Sequence, residues 1–245
     1  NIGFPDLGVV NIAENANPTH HNILTPRGAK VRDAKQWSEV LTEAIDMFDY
    51  AKVLVVSHGW PVFGEDEIED YLSNQRDAYA FLHDQTVRMM NNGATLQEIA
   101  AKIELPEVLA KQWYNRPYYG DYRFNARAVY QFYLGWFDGN PVNLEPLPPE
   151  TAGKKYVEAM GGAEAVLVKA QTAFDAGDYQ WASEILNKLV FSDAENAKAR
   201  ALLADTYEQM GWQTENALWR NFYLTGVKEL REGITRLPED VSGRL

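Results

Sequence analysis

"AKVLVVSHGWPVFG", residues 51–64, contains a run of strand-forming residues that ends in a sharp turn. The four aliphatic residues 53–56 are typical of a strand that is buried on both faces of a sheet. Gly59 lacks a side chain and Pro61 lacks an amide donor, so we expect the chain to turn at His58. Loops at the ends of central strands often carry binding or catalytic residues in layered α/β folds. His58 is therefore a candidate site residue, and a hydrogen-bonded turn histidine is the alternative.

The strand at 53–56 belongs to a short α/β region at residues 1–64. Residues 8–12 are predicted to form another strand and residues 34–48 a helix, because apolar side chains recur in that helix at intervals of three and four. They are Trp37, Val40, Leu41, Ala44, Ile45 and Phe48. Two strands and one helix cannot make an independent core. We therefore expect sheet partners elsewhere, and a missing N-terminal part of the protein, because Asn1 opens directly on strand and turn residues.

The pattern becomes helical from residue 65 onward. Residues 65–93 end at a glycine that is typical of a helix C-terminus, and Thr95 and Glu98 have the spacing of a capping box that opens the next helix. A further helix is predicted over residues 124–138, with apolar side chains on one side.

A proline-rich segment divides the chain. Residues 140–153 hold four of the eleven prolines and are predicted to form a stiff linker, so the predicted domains comprise residues 1–145 and 146–245. Two residue pairs in the second domain are 34 residues apart, namely Ala170 with Ala204 and Gly177 with Gly211. This period is typical of tetratricopeptide-like helical hairpins. Two copies bury little surface, so we expect this domain to pack against another domain or a second subunit.

The composition excludes several classes of protein. The chain has 245 residues, of which 46% are hydrophobic and 24% are charged, as in ordinary globular proteins. The formal charge of −12 and the absence of a Lys and Arg cluster argue against a nucleic-acid partner. No apolar run approaches the roughly 20 residues that cross a bilayer, so no transmembrane segment is predicted. Cysteine is absent, so any metal must bind through histidine and carboxylate ligands.

A polar loop, residues 13–28, follows the predicted strand at 8–12. Most loops of this kind are merely solvated. However, Glu14 opens this loop, and a carboxylate together with the imidazole of His58 suits a zinc-type ion. His20 and His21 are adjacent, and neighbouring side chains rarely converge on one ion, so at least one of them should be structural.

Two other features could bind a ligand. Arg27 suits an oxyanion, because its planar guanidinium offers two parallel donors, and a salt bridge to Asp33 or Glu39 is the alternative. The aromatic segment 116–141 is expected to be mostly core, with four exceptions that could border a pocket. These are Tyr118, Tyr119, Phe124 and Asn125.

Four motifs together resemble the alkyl sulfatases of the metallo-β-lactamase superfamily. They are "AENANPTHHNILTPRGAKVRDAKQWSE" (13–39), "SHGWPVFG" (57–64), "NQRDAYAFLHDQTVRMMNNG" (74–93) and "YYGDYRFNARAVYQFYLGWFDGNP" (118–141). The resemblance implies an α+β fold, in which the edge of a metallo-β-lactamase-like αββα sandwich, with a helical extension, precedes an all-α dimerisation domain with tetratricopeptide-like hairpins. It also implies a hydrolase with two Zn²⁺ ions that cleaves alkyl sulfate esters, such as the detergent dodecyl sulfate, to an alcohol and sulfate.

The resemblance assigns roles to four residues. Glu14 matches the carboxylate that reaches the metal pair and His58 the histidine on the second zinc, while Asn22 and Arg27 match positions that hold the sulfate group. The implied partners are an alkyl sulfate substrate, the missing N-terminal part of the same enzyme and a second copy in a homodimer. A periplasmic or secreted bacterial location is implied, with the cytoplasm as the alternative.

The sequence departs from this family in two ways. The zinc-binding cluster His-x-His-x-Asp-His is absent from the 245 residues, so we expect the chain to supply only part of an active site. Phe124 follows the Tyr-Tyr-Gly turn where many relatives have a histidine, and it cannot donate a hydrogen bond to sulfate. A non-catalytic helical dimerisation scaffold, or another superfamily hydrolase such as a lactonase or phosphoesterase, remains the alternative.

Overall fold

The computed structural model of the protein describes residues 1–234 and divides the chain into two compact units, Asn1–Leu144 and Glu145–Leu245. In the first unit the strands are β1 (Ile2–Phe4), β2 (Val9–Ala13), β3 (Val53–Val56) and β4 (Val62–Phe63), and the helices are α1 (Ala34–Met47), α2 (Glu65–Asn91), α3 (Leu96–Lys102), α4 (Glu107–Ala110) and α5 (Tyr122–Leu134). The described part of the second unit contains α6 (Pro149–Ala159), α7 (Ala163–Asp175), α8 (Tyr179–Ser192), α9 (Ala197–Gln213) and α10 (Ala217–Glu232). The fold is therefore mixed α and β, and mostly helical.

The strands form one sheet in the order β1-β2-β3-β4. β2 and β3 are parallel and connect through α1, whereas β1 and β4 pair antiparallel with their neighbours. The prediction of only two strands in this region was wrong, because β1 and β4 are too short to show an alternating pattern. The prediction that β3 is buried on both faces was also wrong for this chain: Leu54 and Val56 are buried, but Val53 and Val55 are only half-buried.

Helix α1 confirms the helix predicted over residues 34–48. Asp33 caps its N-terminus, because the Asp33 carboxylate accepts hydrogen bonds from the amides of Lys35 (2.9 Å) and Gln36 (3.1 Å). Leu41 and Ala44 are buried, so the apolar side of α1 contributes to the core of the first unit. The predicted capping box of Thr95 and Glu98 is likewise present.

Helix α5 is shorter than predicted. It ends at Leu134 rather than near residue 138, because Gly135 has φ 79° and breaks the helical path. Val129 and Tyr130 are buried, but Tyr133 and Leu134 in the last turn are exposed. The apolar side predicted for this helix is therefore core only over its first three turns.

Successive helices pack together in the second unit, α7 on α8, α8 on α9 and α9 on α10. Gly177 lies in the turn between α7 and α8, with φ 77°. Gly211 instead lies inside α9 and is buried against Leu224, so the two glycines of the 34-residue period do not occupy equivalent turns. Within residues 1–234, no helix has both the length and the apolar character needed to cross a bilayer.

Candidate functional site

Glu14 and His58 meet at one edge of the sheet. β2 and β3 are parallel, with Ala13 opposite Val56, so the residues that follow both strands emerge on the same side. The amide of Ser57 donates to the Ala13 carbonyl at 3.0 Å, which holds the two strand ends together. His58 Nε2 then lies 2.7 Å from Glu14 Oε1. A carboxylate and an imidazole from distant positions are thus brought into direct contact.

A β-bulge directs Glu14 toward this edge. The register between β2 and β3 shifts between Asn11 and Ala13, and Ala13 has φ 54°, in the left-handed region that non-glycine residues seldom adopt. The Ala13 amide donates to Asn11 Oδ1 at 2.9 Å, which stabilises this conformation. Backbone strain of this kind is concentrated at functional sites.

The electrostatic surroundings keep Glu14 ionised. The hydrogen bond from His58 lowers the pKa of the Glu14 carboxyl, and the charges of His58 and Arg32 lower that pKa further against the opposing effect of burial. The side chains of Glu14 and His58 are 53% and 64% exposed. The pair is therefore open to an ion or a ligand from outside.

His21 is the third polar group at this edge. Its Nε2 lies 3.8 Å from Glu14 Oε2, and its Nδ1 lies 3.1 Å from the Asn22 carbonyl oxygen. A carbonyl only accepts hydrogen bonds, so Nδ1 donates and the neutral ring leaves Nε2 with a lone pair toward Glu14. Burial lowers the pKa of His21 and favours this neutral form. Even so, no group of three His, Asp or Glu side chains within residues 1–234 has the arrangement of a metal site.

His20 has a structural role, as expected for at least one of the two adjacent histidines. Its ring is 2% exposed and stacks between Tyr79 and Tyr122, with centroid distances of 4.6 and 4.2 Å. Burial lowers the pKa of His20 to about 3, so the ring is neutral at ordinary pH. His20 therefore anchors the polar loop in the core.

The burial of His20 predicts an acid-sensitive stability. In the unfolded chain His20 binds a proton near its ordinary pKa of 6.5, whereas in the folded protein it does so only near pH 3. The contribution of the neutral His20 ring to the free energy of unfolding is fully present above pH 6.5. It decreases as the pH drops toward 3, by about 1.4 kcal/mol per pH unit. Urea unfolding across this pH range should show a steeper loss of unfolding free energy for the wild type than for His20→Phe, whose ring keeps the stacking between Tyr79 and Tyr122. Parallel pH profiles for the two proteins would contradict this assignment.

Hydrogen bonds from the start of α5 hold the segment around His21. The Gly120 amide donates to the His20 carbonyl at 2.7 Å. Asn125 Nδ2 donates to the His21 carbonyl at 2.8 Å, and Asn125 Oδ1 accepts from the Ile23 amide at 2.9 Å. Asn125 was expected to border a pocket, but it is fully buried and positions this loop instead.

The predicted sulfate-binding residues lie in different environments. Asn22 is buried, at 2% exposure, and its main-chain carbonyl accepts a hydrogen bond from Arg32 Nη1 at 2.9 Å. Its side-chain Nδ2 has no hydrogen-bond partner among the described residues. Arg27 is exposed, and in residues 1–234 it forms no ion pair with Asp33 or Glu39, so the salt-bridge alternative is not formed. The assignment of Asn22 and Arg27 to an anion stays a prediction.

A cavity of about 570 Å³ lies beside Glu14. Its polar lining comes from Glu14, Asn15, His21, Arg32, Asp33 and Gln36, and its apolar lining from Val31, Trp37, Val40 and Phe132. Sequence reasoning missed Arg32 and left the role of His21 open, because neither belongs to a periodic pattern. A cavity that is lined by both charged and apolar side chains suits an amphipathic ligand.

Comparison with known proteins identifies the family. The family described as alkyl sulfatase dimerisation matches residues 95–233, more than half of the chain. The chain belongs to the alkyl sulfatase dimerisation family. The match runs from the capping box of α3 to the end of α10, so Glu14 and His58 lie outside it.

Relatives of this alkyl sulfatase dimerisation chain include an (R)-specific secondary-alkylsulfatase of a Pseudomonas species, 55% identical over 96% of this chain and 36% of that protein. The alkyl/aryl-sulfatase BDS1 of Saccharomyces cerevisiae is 45% identical over 96% of this chain and 36% of that protein. The structure of the inverting sec-alkylsulfatase Pisa1 from a Pseudomonas species superimposes with a TM-score of 0.94 at 53% identity, over 97% of this chain and 38% of that one. The chain thus spans little more than a third of the length of these relatives.

Proposed function

We propose that this chain is part of an enzyme that hydrolyses alkyl sulfate esters to an alcohol and sulfate. The family match and the names of the relatives support this reaction class. The observation that carries the proposal is the 2.7 Å contact between Glu14 Oε1 and His58 Nε2, which joins a carboxylate and an imidazole beside an amphipathic cavity.

The donor chemistry of Glu14 and His58 fits zinc, because carboxylate oxygen and imidazole nitrogen are common zinc ligands. They are only part of a ligand set, since zinc takes about four ligands. We place the other ligands and a second zinc ion in the polypeptide that the relatives have and this chain does not span. Zinc, when bound, supplies Lewis acidity that lowers the pKa of water. Glu14 remains ionised for this role, and His21 orients its Nε2 toward the same carboxylate.

Asn22 and Arg27 are assigned to the sulfate group of the substrate. N–H donors stabilise the negative charge of a departing oxyanion, and guanidinium binds it through two parallel bonds. Asn22 Nδ2 is a buried donor whose hydrogen bond is not used among the described residues, and Arg27 is exposed. Arg32 adds a positive charge close to Glu14 and His21.

We further propose that the sheet is the edge of a metallo-β-lactamase-like αββα sandwich and that residues 146–245 form a dimerisation domain of a homodimer. The half-buried Val53 and Val55 support the first point, because another layer can cover this face of β3. The family description supports the second. The tetratricopeptide-like character of the hairpins and a periplasmic or secreted location stay predictions.

Assay of the complete enzyme tests the function. With zinc added, the full-length polypeptide should release sulfate from dodecyl sulfate, measured by ion chromatography, at rates far above those for dodecyl phosphate or a lactone. Turnover of the phosphate ester or the lactone without turnover of the sulfate would reject the substrate class. Absence of any turnover, together with a stable dimer in size measurements, would favour the non-catalytic scaffold.

A further inference from the structure

A second cleft, of about 580 Å³, lies in the first unit and is distinct from the cavity beside Glu14. Its walls are formed by β4, the first turns of α2 and the short 3₁₀ helix Trp113–Asn115. The residues that line it are Pro61, Val62, Phe63, Glu67, Asp70, Tyr71, Asn74, Gln112, Trp113 and Tyr114. It shares none of them with the cavity beside Glu14.

Aromatic rings meet at steep angles on one side of this cleft. The rings of Trp113 and Tyr114 are 5.5 Å apart at 74°, and those of Tyr71 and Tyr114 are 4.6 Å apart at 57°. Trp113 and Phe63 are exposed by 55% and 65%, so part of each ring is open to a ligand in the cleft. Tyr71 and Tyr114 are buried, at 2% and 7% exposure, so Trp113 and Phe63 are the rings of this cleft that can offer a π face to an organic cation.

Carboxylates provide negative charge beside these rings. Glu67 and Asp70 line the cleft, and in the part of the chain that the structure describes neither forms an ion pair. Burial, followed by the charges of Asp70 and Glu67, raises the pKa of Tyr114, so both carboxylates lie close to this phenol. The N-terminus of α2 offers only about half a positive charge against them.

From this arrangement we propose that the cleft binds a small alkylammonium cation. The ring faces attract the cation, its alkyl groups contact apolar surface, and Glu67 and Asp70 neutralise its charge. None of the lining residues is a Lys or Arg, so no side chain of the cleft already occupies the place of such a cation. A phosphate or carboxylate group on the ligand would be repelled by the same carboxylates, which distinguishes a free ammonium compound from a phospholipid headgroup.

Isothermal titration of the protein with choline tests this site. The uncharged isostere 3,3-dimethylbutan-1-ol should bind about tenfold more weakly than choline, because it lacks the charge that the rings and carboxylates attract. Phosphocholine should also bind more weakly than choline. Trp113→Ala should weaken choline binding by about tenfold, whereas Trp113→Phe, which keeps an aromatic face, should retain most of the affinity.

Matched variants distinguish binding in the cleft from a general effect of surface charge. Glu67→Gln combined with Asp70→Asn should weaken choline binding several-fold, whereas Glu69→Gln, an exposed carboxylate on the same helix but outside the cleft, should leave it unchanged. Equal binding of choline and its uncharged isostere, tighter binding of phosphocholine, or full binding by folded Trp113→Ala would each overturn the proposal. Folding of each variant is checked by circular dichroism.

Discussion

Replacing His58 with alanine in the complete enzyme is expected to lower kcat/KM for dodecyl sulfate by at least about 100-fold, with loss of bound zinc. The reason is the position of the imidazole, whose Nε2 lies 2.7 Å from Glu14 Oε1 at the proposed metal site. Steady-state sulfate release and the zinc content of the purified variant measure the two effects. This prediction depends on the proposed function.

Measurement of stability distinguishes a loss of function from a loss of folding. In this chain the His58 side chain is 64% exposed, so its removal should change the free energy of unfolding of this chain by no more than about 0.5 kcal/mol. Trp60→Ala, in the same loop and 84% exposed, serves as the matched control and should retain activity. The assignment of His58 fails if His58→Ala keeps both its zinc and its activity.

Gly120→Ala should destabilise the protein by about 3 kcal/mol. A Cβ at Gly120 would overlap the main-chain carbonyl of His21 and lie 2.8 Å from the His20 carbonyl oxygen. Main-chain atoms cannot rotate away as a side chain does, so the loop that carries His20, His21 and Asn22 would have to move. Urea unfolding measures the change, and sulfate release by the complete enzyme should fall with it.

Gly226→Ala is the matched control for this substitution. A Cβ at Gly226 would lie 3.1 Å from the ring of Tyr207, a side-chain contact rather than an overlap with main-chain atoms, and alanine favours the helix, so we expect a change of less than about 1 kcal/mol. Equal effects of the two substitutions would show that the close approach at Gly120 does not constrain the loop.

Local signals in the sequence were sufficient for several elements of the fold. The three- and four-residue spacing of apolar side chains identified α1, and the Thr95 and Glu98 pair identified the start of α3. β1 and β4 were missed, because strands of three and two residues carry no periodic pattern. The burial of β3 was overestimated, since the covering of each face depends on neighbours that the local sequence does not specify.

The candidate site was predictable in part. Glu14 and His58 were identified because each follows a strand, and the parallel pairing of those strands brings them together. The position of His21 beside Glu14 depends on hydrogen bonds to Asn125 and Asn22, residues whose spacing from Glu14 follows no motif. Arg32 was missed for a similar reason, because its guanidinium bonds to a main-chain carbonyl.

The crossover between β2 and β3 has a consequence for how the site tolerates insertions. Glu14 and His58 are 44 positions apart in the chain, yet their contact is set by the hydrogen bonds between the two strands. Extra residues inserted at the exposed positions 28–30, ahead of α1, would lengthen the connection without changing strand alignment. In proteins of this architecture, the partner of the glutamate is therefore found by following the adjacent strand to its end, whatever the number of intervening residues.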